Sequence, residues 1–315
     1  MIPVQITASR LLCISLCALG QPIERDVDPP RYVCESLLGR ELYSPQLNPE
    51  RADQLMADLR SAQKVLWQNR DNEIALIWVA RRHGYLGDYN AAISVLTDGL
   101  RQFPDSARLY RHRGHRFITV RDLQQAESDL VRAAALADGH PDQIEPDGMP
   151  NKQNIPRSTT NSNIFYHLAL ARYLQSEYAE ALEAIEQCLK FCTNDDMSVA
   201  TLYWTFLTLV RLDRADEARA LLDGISPEMD IIENDGYHRL LLLFKGELEE
   251  SDLLGGLEEG IATPTVLYGV SQYRALRGDA EGSREILDRI IEGGAWPAFG
   301  YIAAEADLVR MGEGG

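Results

Sequence analysis

Apolar residues recur at helical spacing along most of the chain, and two consecutive segments show the same order of helix, turn and helix. In the first segment an apolar helical pattern ends at the polar stretch Gly87-Asp88-Tyr89-Asn90. A second apolar pattern then runs through Leu96 and Leu100 and stops at Phe103-Pro104. Apolar residues three and four positions apart lie on one helix face, so this segment is predicted to be a helix-turn-helix unit.

The same unit follows at a constant offset of 34 residues. The small and large residues that match at this offset are Ala80 with Gly114, Asp88 with Asp122, Tyr89 with Leu123, Ala92 with Ala126, and Leu96 with Leu130. Small residues allow two helices to approach closely, and 34 residues is the period of the tetratricopeptide repeat (TPR). The chain therefore resembles the TPR family. The resemblance implies an all-α fold, a right-handed superhelix of stacked helical hairpins.

Further units follow with decreasing regularity at residues 178–188, 215–225, 246–254 and 278–287. A leading helix over Pro49 to Asn69 is predicted, because Asn48 is a good N-cap and proline is tolerated at the first helical position. A closing helix is predicted over Trp296 to Met311, covering the last apolar edge. Residues 21–48 are expected to be an N-terminal extended segment, and residues 49–315 form the helical-repeat domain.

One insertion interrupts the repeats, because the distance from Ala126 to Ala181 is 21 residues longer than one period. The inserted loop is placed at residues 138–162, a stretch rich in proline, glycine, asparagine and aspartate. An ordered loop that partly covers the groove is expected, and a disordered loop is the alternative. The residues Glu145-Pro146-Asp147-Gly148 and the following Ile155-Pro156 stretch are similar to loops in exported bacterial TPR proteins of unassigned function.

The N-terminus has the pattern of a signal peptide over residues 1–20. Arg10 precedes the apolar run from Leu11 to Leu19, and Ala18-Leu19-Gly20 is a small-x-small cleavage pattern. Cleavage there would give an exported protein, periplasmic or extracellular. Without cleavage the segment would be an N-terminal helix of a cytoplasmic protein. The apolar run is too short to span a bilayer, so membrane insertion is not expected.

The formal net charge of −17 argues against nucleic acid as a partner, because phosphates would be repelled over most of the surface. One predicted helix departs from this acidic character, since the last six positions of Leu109 to Arg116 contain five arginines or histidines. Nearby acids could neutralise this cluster in place. The other interpretation is a site for an anionic ligand.

The TPR resemblance implies that the first helix of each hairpin lines the concave groove. Arg108, Arg111, His112 and His115 share one face of such a helix, whereas Arg113 and Arg116 are expected to point elsewhere and form ordinary ion pairs. The candidate ligand-binding residues on these inner helices are Trp78, Arg81, Tyr85, Arg108, Arg111, His112, His115, Tyr166, His167, Trp204 and His238.

The function expected from this scaffold is non-catalytic binding of a peptide, a protein or a carboxylate-bearing acidic ligand in the concave groove. The alternative is an enzyme or small-molecule-binding protein, which would need a closed pocket holding a histidine beside a carboxylate such as Glu145 or Asp147. No catalytic signature is present, and no cofactor is implied. His112, His115 and His167 lack a paired carboxylate motif, so no metal site is expected.

Two consequences of the anion-site interpretation can be compared with the structure. Replacing Arg111 by alanine is expected to weaken binding while leaving the fold intact. Protonation of His112 or His115 is expected to strengthen binding as the pH falls below about 6.5.

Overall fold

The computed structural model describes residues 30–313 except 149, 256, 258, 259, 261 and 262, so the predicted signal peptide at residues 1–20 lies outside the described residues.

Two short strands precede the helices, and they pair antiparallel: β1 (Tyr32–Glu35) and β2 (Glu41–Tyr43). The helices are α1 (Pro49–Gln68), α2 (Glu73–Tyr85), α3 (Tyr89–Gln102), α4 (Ala107–Thr119), α5 (Leu123–Ala137), α6 (Thr160–Leu174), α7 (Tyr178–Leu189), α8 (Asp195–Arg211), α9 (Ala215–Leu221), α10 (Asp235–Lys245), α11 (Glu250–Leu254), α12 (Thr263–Leu276), α13 (Ala280–Glu292) and α14 (Phe299–Glu313).

Each well-formed hairpin turns through a residue with positive φ, followed by the N-cap of the second helix. Gly87 and Gly278 occupy this left-handed position, and Arg121 adopts the same conformation with a φ of 65°. Glycine reaches it without a steric penalty, whereas a side chain makes it costly. Asp88 and Asp122 then cap α3 and α5 by accepting a hydrogen bond from the amide three residues further on.

Small residues bring the two helices of a hairpin together, as the sequence predicts. Ala92 and Ala126 have no exposed surface. A Cβ atom added at Gly114 would lie 2.7 Å from Cγ of Leu130 and 3.2 Å from the carbonyl oxygen of Ala126, so only glycine fits there without a shift of α4 against α5. The predicted all-α fold of the TPR type, a superhelix of stacked hairpins, is confirmed.

Three boundaries differ from the predicted ones. The N-terminal segment expected to be extended contains the β1–β2 hairpin. Helix α6 begins at Thr160, because Thr159 and Ser162 form a capping box, so the inserted loop spans residues 138–159 rather than 138–162. The closing helix begins at Phe299 instead of Trp296. The leading helix agrees with its prediction, and Asn48 Oδ1 accepts the Arg51 amide at 2.8 Å.

Helix α14 does more than cover the last hairpin. It packs on α12 and α13, and it also contacts α6 from the opposite part of the superhelix. Ile302, Ala303, Ala304 and Glu305 have no exposed surface. A helix that is buried on all faces must be surrounded by other elements. Helix α14 is surrounded in this way because it lies on the concave side of the stack, against α6, α12 and α13. The groove is therefore partly filled by the chain's own C-terminal helix.

Among the described residues, no helix combines the length and the hydrophobicity needed to cross a membrane.

Candidate functional site

Helix α4 carries the cationic cluster, and Arg111 is its most buried arginine. Its Nη2 lies 2.9 Å from Oε2 of Glu145, which comes from the inserted loop. The amide of Asn163 also donates to Glu145 Oε2, at 3.0 Å. Burial is the main reason that the pKa of Arg111 is lowered to about 10, and the Glu145 carboxylate opposes this change. Nε of Arg111 and Oε1 of Glu145 are buried without a hydrogen-bond partner.

The inserted loop runs directly over α2 beside this pair. Nη1 of Arg81 donates to the carbonyl oxygen of Pro146 at 2.7 Å. A Cβ at Gly148 would lie 1.5 Å from the hydroxyl of Tyr85, so the backbone passes where no side chain could. Asp147 lies between Pro146 and Gly148 in the chain, and its Oδ2 is buried without a hydrogen-bond partner. Burial raises the pKa of the Asp147 carboxyl, and the charge of Arg81 opposes this rise. Residues 145–148 thus cover part of the groove.

Three histidines adjoin the arginines, and their hydrogen bonds define their tautomers. Because a guanidinium can only donate, His112 Nδ1 accepts from Arg111 Nη1 at 2.9 Å and His115 Nε2 accepts from Arg116 Nη2 at 2.7 Å. His167 Nδ1 donates to the Asn163 carbonyl oxygen at 2.6 Å. The protons of the neutral rings therefore lie on Nε2 of His112, Nδ1 of His115 and Nδ1 of His167.

Burial lowers the pKa of all three histidines well below the usual value, and the neighbouring arginines lower it further. The rings of His115 and His167 lie with centroids 4.3 Å apart, which also disfavours two positive charges. These lowered pKa values argue against the expectation that His112 or His115 becomes protonated just below pH 6.5 and thereby strengthens binding.

Two adjoining cavities lie next to the cluster. The smaller one, of about 140 Å³, is bordered by Arg81, Tyr85, Arg111, His112, His115 and Arg116. The larger one, of about 1250 Å³, shares Tyr85, His115 and Arg116 with it. The larger cavity continues along the β1–β2 hairpin, α10 and the segment that leads into α14. Its aromatic lining includes Tyr89, Tyr237, Trp296, Phe299 and Tyr301.

Arg113 and Arg116 behave differently from one another. Arg113 forms a bidentate ion pair with Asp129, at 2.7 and 2.8 Å, as expected for an arginine facing the neighbouring helix. The same expectation is wrong for Arg116. This side chain borders both cavities, packs its Nη1 against Gly84, and forms no ion pair with a described carboxylate. Burial lowers the pKa of its guanidinium.

Other proteins provide no assignment for this site. No family model matches the chain, and no curated protein does. The solved structure of YrrB, a TPR protein described as having an unusual peptide-binding site, is 14% identical and aligns over 80% of this chain and 99% of YrrB with a TM-score of 0.43. MamA is 18% identical over 64% of this chain and 92% of MamA, with a TM-score of 0.42. The TPR domain of P58(IPK) is 13% identical over 83% of this chain and 95% of that domain, with a TM-score of 0.24.

The structure brings most of the candidate residues together. Arg81, Tyr85, Arg111, His112 and His115 border the smaller cavity. The His167 ring lies tilted beside the His115 ring, and its centroid is 5.7 Å from that of the Phe299 ring.

Tyr166 and Trp204 form a second layer behind these residues. The Tyr166 hydroxyl lies 3.1 Å from the Tyr237 hydroxyl and accepts from Trp204 Nε1 at 3.0 Å. Tyr237 in turn borders the larger cavity. These side chains therefore hold the cavity wall in place.

Three candidates lie away from the cavities. Trp78 packs under the guanidinium groups of Arg81 and Arg82, at 4.8 and 5.2 Å. Arg108 pairs with Glu73 at 3.1 Å. His238 is bonded to the Ser226 carbonyl oxygen at 2.9 Å in another part of the stack.

The arrangement that the enzyme alternative requires is not found in the described part of the chain. Glu145 bonds to Arg111 and Asn163 rather than to a histidine, and no described carboxylate is bonded to His112, His115 or His167. Within the described residues, no group of three histidine, cysteine or acidic side chains could hold a metal ion.

Sequence reasoning missed Arg116, Trp296 and Phe299 as cavity residues. The helical wheel alone placed Arg116 off the groove-facing side. Trp296 and Phe299 precede or begin α14, and their positions depend on α14 returning to the concave side, for which a repeat alignment has no signal.

Proposed function

We propose that this protein binds a ligand carrying a carboxylate or phosphate group, and that the group is held by Arg81 and Arg116 in the smaller cavity beside Arg111. The observation that carries the proposal is the convergence of three guanidinium groups on one cavity, of which only Arg111 forms an ion pair with a described carboxylate, while Arg81 interacts electrostatically with Asp147. Arginine presents paired N–H donors that match the geometry of both anions.

Electrostatics supports an anion at this position. Burial of Arg111 and Arg116 lowers the pKa of both guanidinium groups, which indicates that the protein alone compensates their charge incompletely. An anion beside Arg116 would supply the ion-pair partner that the described residues do not provide. The neutral histidines suit the same ligand, since His112 and His115 each carry one ring N–H and add donors without adding charge.

The occupied groove favours a compact ligand. Helix α14 packs against α6 and α12 where an extended peptide would otherwise lie along the inner helices. The remaining space is the pair of cavities, which could take a small molecule or the end of a chain. Of the expected alternatives, an acidic small ligand bound without catalysis agrees best with this arrangement.

Calorimetric titration with 3-phenylpropanoate at pH 7 tests the proposal. We expect Arg116→Gln to weaken binding at least about tenfold, since a charged hydrogen bond contributes roughly 1.5 to 3 kcal/mol. Arg132→Gln, on the exposed side of α5, is the control and should bind like the wild type. Equal affinity of wild type and Arg116→Gln, or no binding at all, would reject the anion site.

A further inference from the structure

The larger cavity adjoins the anion site but is built from different side chains. Its lining contains the rings of Tyr89, Trp296 and Phe299, together with Leu42 of β2 and Leu55 of α1. Trp296 and Tyr89 meet edge to face, with centroids 5.4 Å apart. Phe299 lies 5.4 Å from the His115 ring. An apolar space therefore begins at the cluster that holds the charge.

Hydrogen bonds position two of the aromatic residues that line the larger cavity. The indole Nε1 of Trp296 donates to the Tyr43 carbonyl oxygen at 2.8 Å, and the carbonyl oxygen of Trp296 accepts from Arg121 at 2.9 Å. The Tyr301 hydroxyl is bonded to the Ile291 carbonyl oxygen at 3.2 Å. Because these polar atoms already have partners, the rings present mainly their apolar surfaces to the cavity.

The volume of about 1250 Å³ is far more than a carboxylate or phosphate alone can fill. A small anion at Arg116 would leave the aromatic wall in contact with water. A ligand whose apolar body continues from its anionic group would remove that surface from water and gain affinity with each added methylene.

From these contacts we infer that the ligand is an amphiphilic anion, with its charged group at Arg81 and Arg116 and an alkyl or aryl body lying along Tyr89, Trp296 and Phe299. This inference rests on the proposed function, because it takes the position of the anion from it. The charged end and the apolar end of the ligand are matched by two adjoining cavities, which share Tyr85, His115 and Arg116 in their linings.

The chain offers a matched pair of variants for a test. Gly294 borders the larger cavity, and a Cβ added there meets no atom within 4 Å. Gly224 also has open space around an added Cβ, but it does not border the cavity. Gly294→Phe is therefore expected to reduce the space for an apolar body, whereas Gly224→Phe adds the same side chain elsewhere.

The experiment is calorimetric titration of the full chain with straight-chain carboxylates from acetate to octanoate. For the wild type and Gly224→Phe, we expect affinity to rise about threefold to fourfold per methylene. For Gly294→Phe, we expect the longer members to lose at least tenfold while the shorter ones bind as before.

The outcomes separate the two proposals. Binding that depends on Arg116 but is independent of chain length would overturn the amphiphile inference and leave the anion site standing. A length dependence that Gly294→Phe leaves unchanged would also overturn it, because the apolar body would then lie elsewhere. Affinity that rises with length but is the same in Arg116→Gln would reject the proposed anion site itself. If no member of the series binds, both proposals fail.

Discussion

Arg121 and Glu305 join the turn after α4 to α14. Arg121 Nη2 lies 2.9 Å from Glu305 Oε1, and Arg121 Nε lies 3.0 Å from Oε2; the two side chains are 3% and 0% exposed. Arg121 occupies the positive-φ position that glycine fills in two other hairpins. The backbone cost of that conformation is offset by an ion pair that holds α14 inside the superhelix.

Removing one partner of this pair should be strongly destabilising. Glu305→Ala leaves the Arg121 charge buried and unpaired, so we expect the free energy of unfolding to fall by about 3 to 5 kcal/mol. Urea denaturation measures the change. The exposed pair of Arg101 and Asp98 is the control, and its removal should change stability by less than about 1 kcal/mol. In a double-mutant cycle, additive losses for Arg121→Ala and Glu305→Ala would show that the two residues are not coupled.

Overpacking the hairpin interface should also destabilise the fold. Ala126 is fully buried between α4 and α5, so Ala126→Trp is expected to lower the free energy of unfolding by at least about 1 to 3 kcal/mol. Val131 lies on the same helix and is 44% exposed, which makes Val131→Trp the matched control. An unchanged melting temperature for Ala126→Trp would contradict the close approach of the two helices.

Arg111 and Arg116 should respond differently to replacement. The structure changes the expectation for Arg111→Ala, because this substitution would leave the buried Glu145 carboxylate without its ion-pair partner. We now expect the free energy of unfolding to fall by about 3 to 5 kcal/mol. Arg116 has no carboxylate partner among the described residues, so Arg116→Ala should cost much less. Thermal denaturation of the two variants side by side decides this. A larger loss for Arg116→Ala would mean that its charge is compensated by the protein.

Stability should decrease as the pH falls from 7 to about 5. His112 and His167 are held neutral in the folded state by a lowered pKa, whereas in the unfolded chain they bind protons below about 6.5. The unfolded state then carries more protons, and each histidine contributes about 1.4 kcal/mol of lost stability per pH unit below that value. Above pH 7 neither state is protonated and the dependence disappears.

The slope of stability against pH is the quantity to measure, by urea denaturation at pH 7.0, 6.0 and 5.0. His167→Gln should reduce the slope relative to the wild type even if its stability at pH 7 is lower. An unaltered slope would show that His167 is protonated in the folded protein.

The repeat architecture could be derived from the sequence because it depends on local, periodic requirements. Small residues such as Ala92 and Ala126 recur at 34-residue spacing since every hairpin needs the same close approach. Asp88 and Asp122 recur because each second helix needs the same N-cap. The leading helix followed from Asn48 and Pro49 for the same reason. Periodicity also placed Arg81, Arg111, His112 and His115 on the inner helices, where the structure finds them around one cavity.

Only the tertiary structure decided what fills the groove. The position of α14 results from contacts between distant parts of the chain, such as Arg121 with Glu305 and Arg211 with Asp307, and no short-range pattern specifies which partner a buried charge selects. The same holds for Glu145, which neutralises Arg111, and for Arg116, which is left facing a cavity. Spacing along one helix determines which residues share a face. Whether a charge on that face lies next to a carboxylate, a ring or a cavity depends on residues that other parts of the chain bring there. In this protein those residues make Arg111 part of a structural ion pair and leave Arg116 at the proposed ligand site.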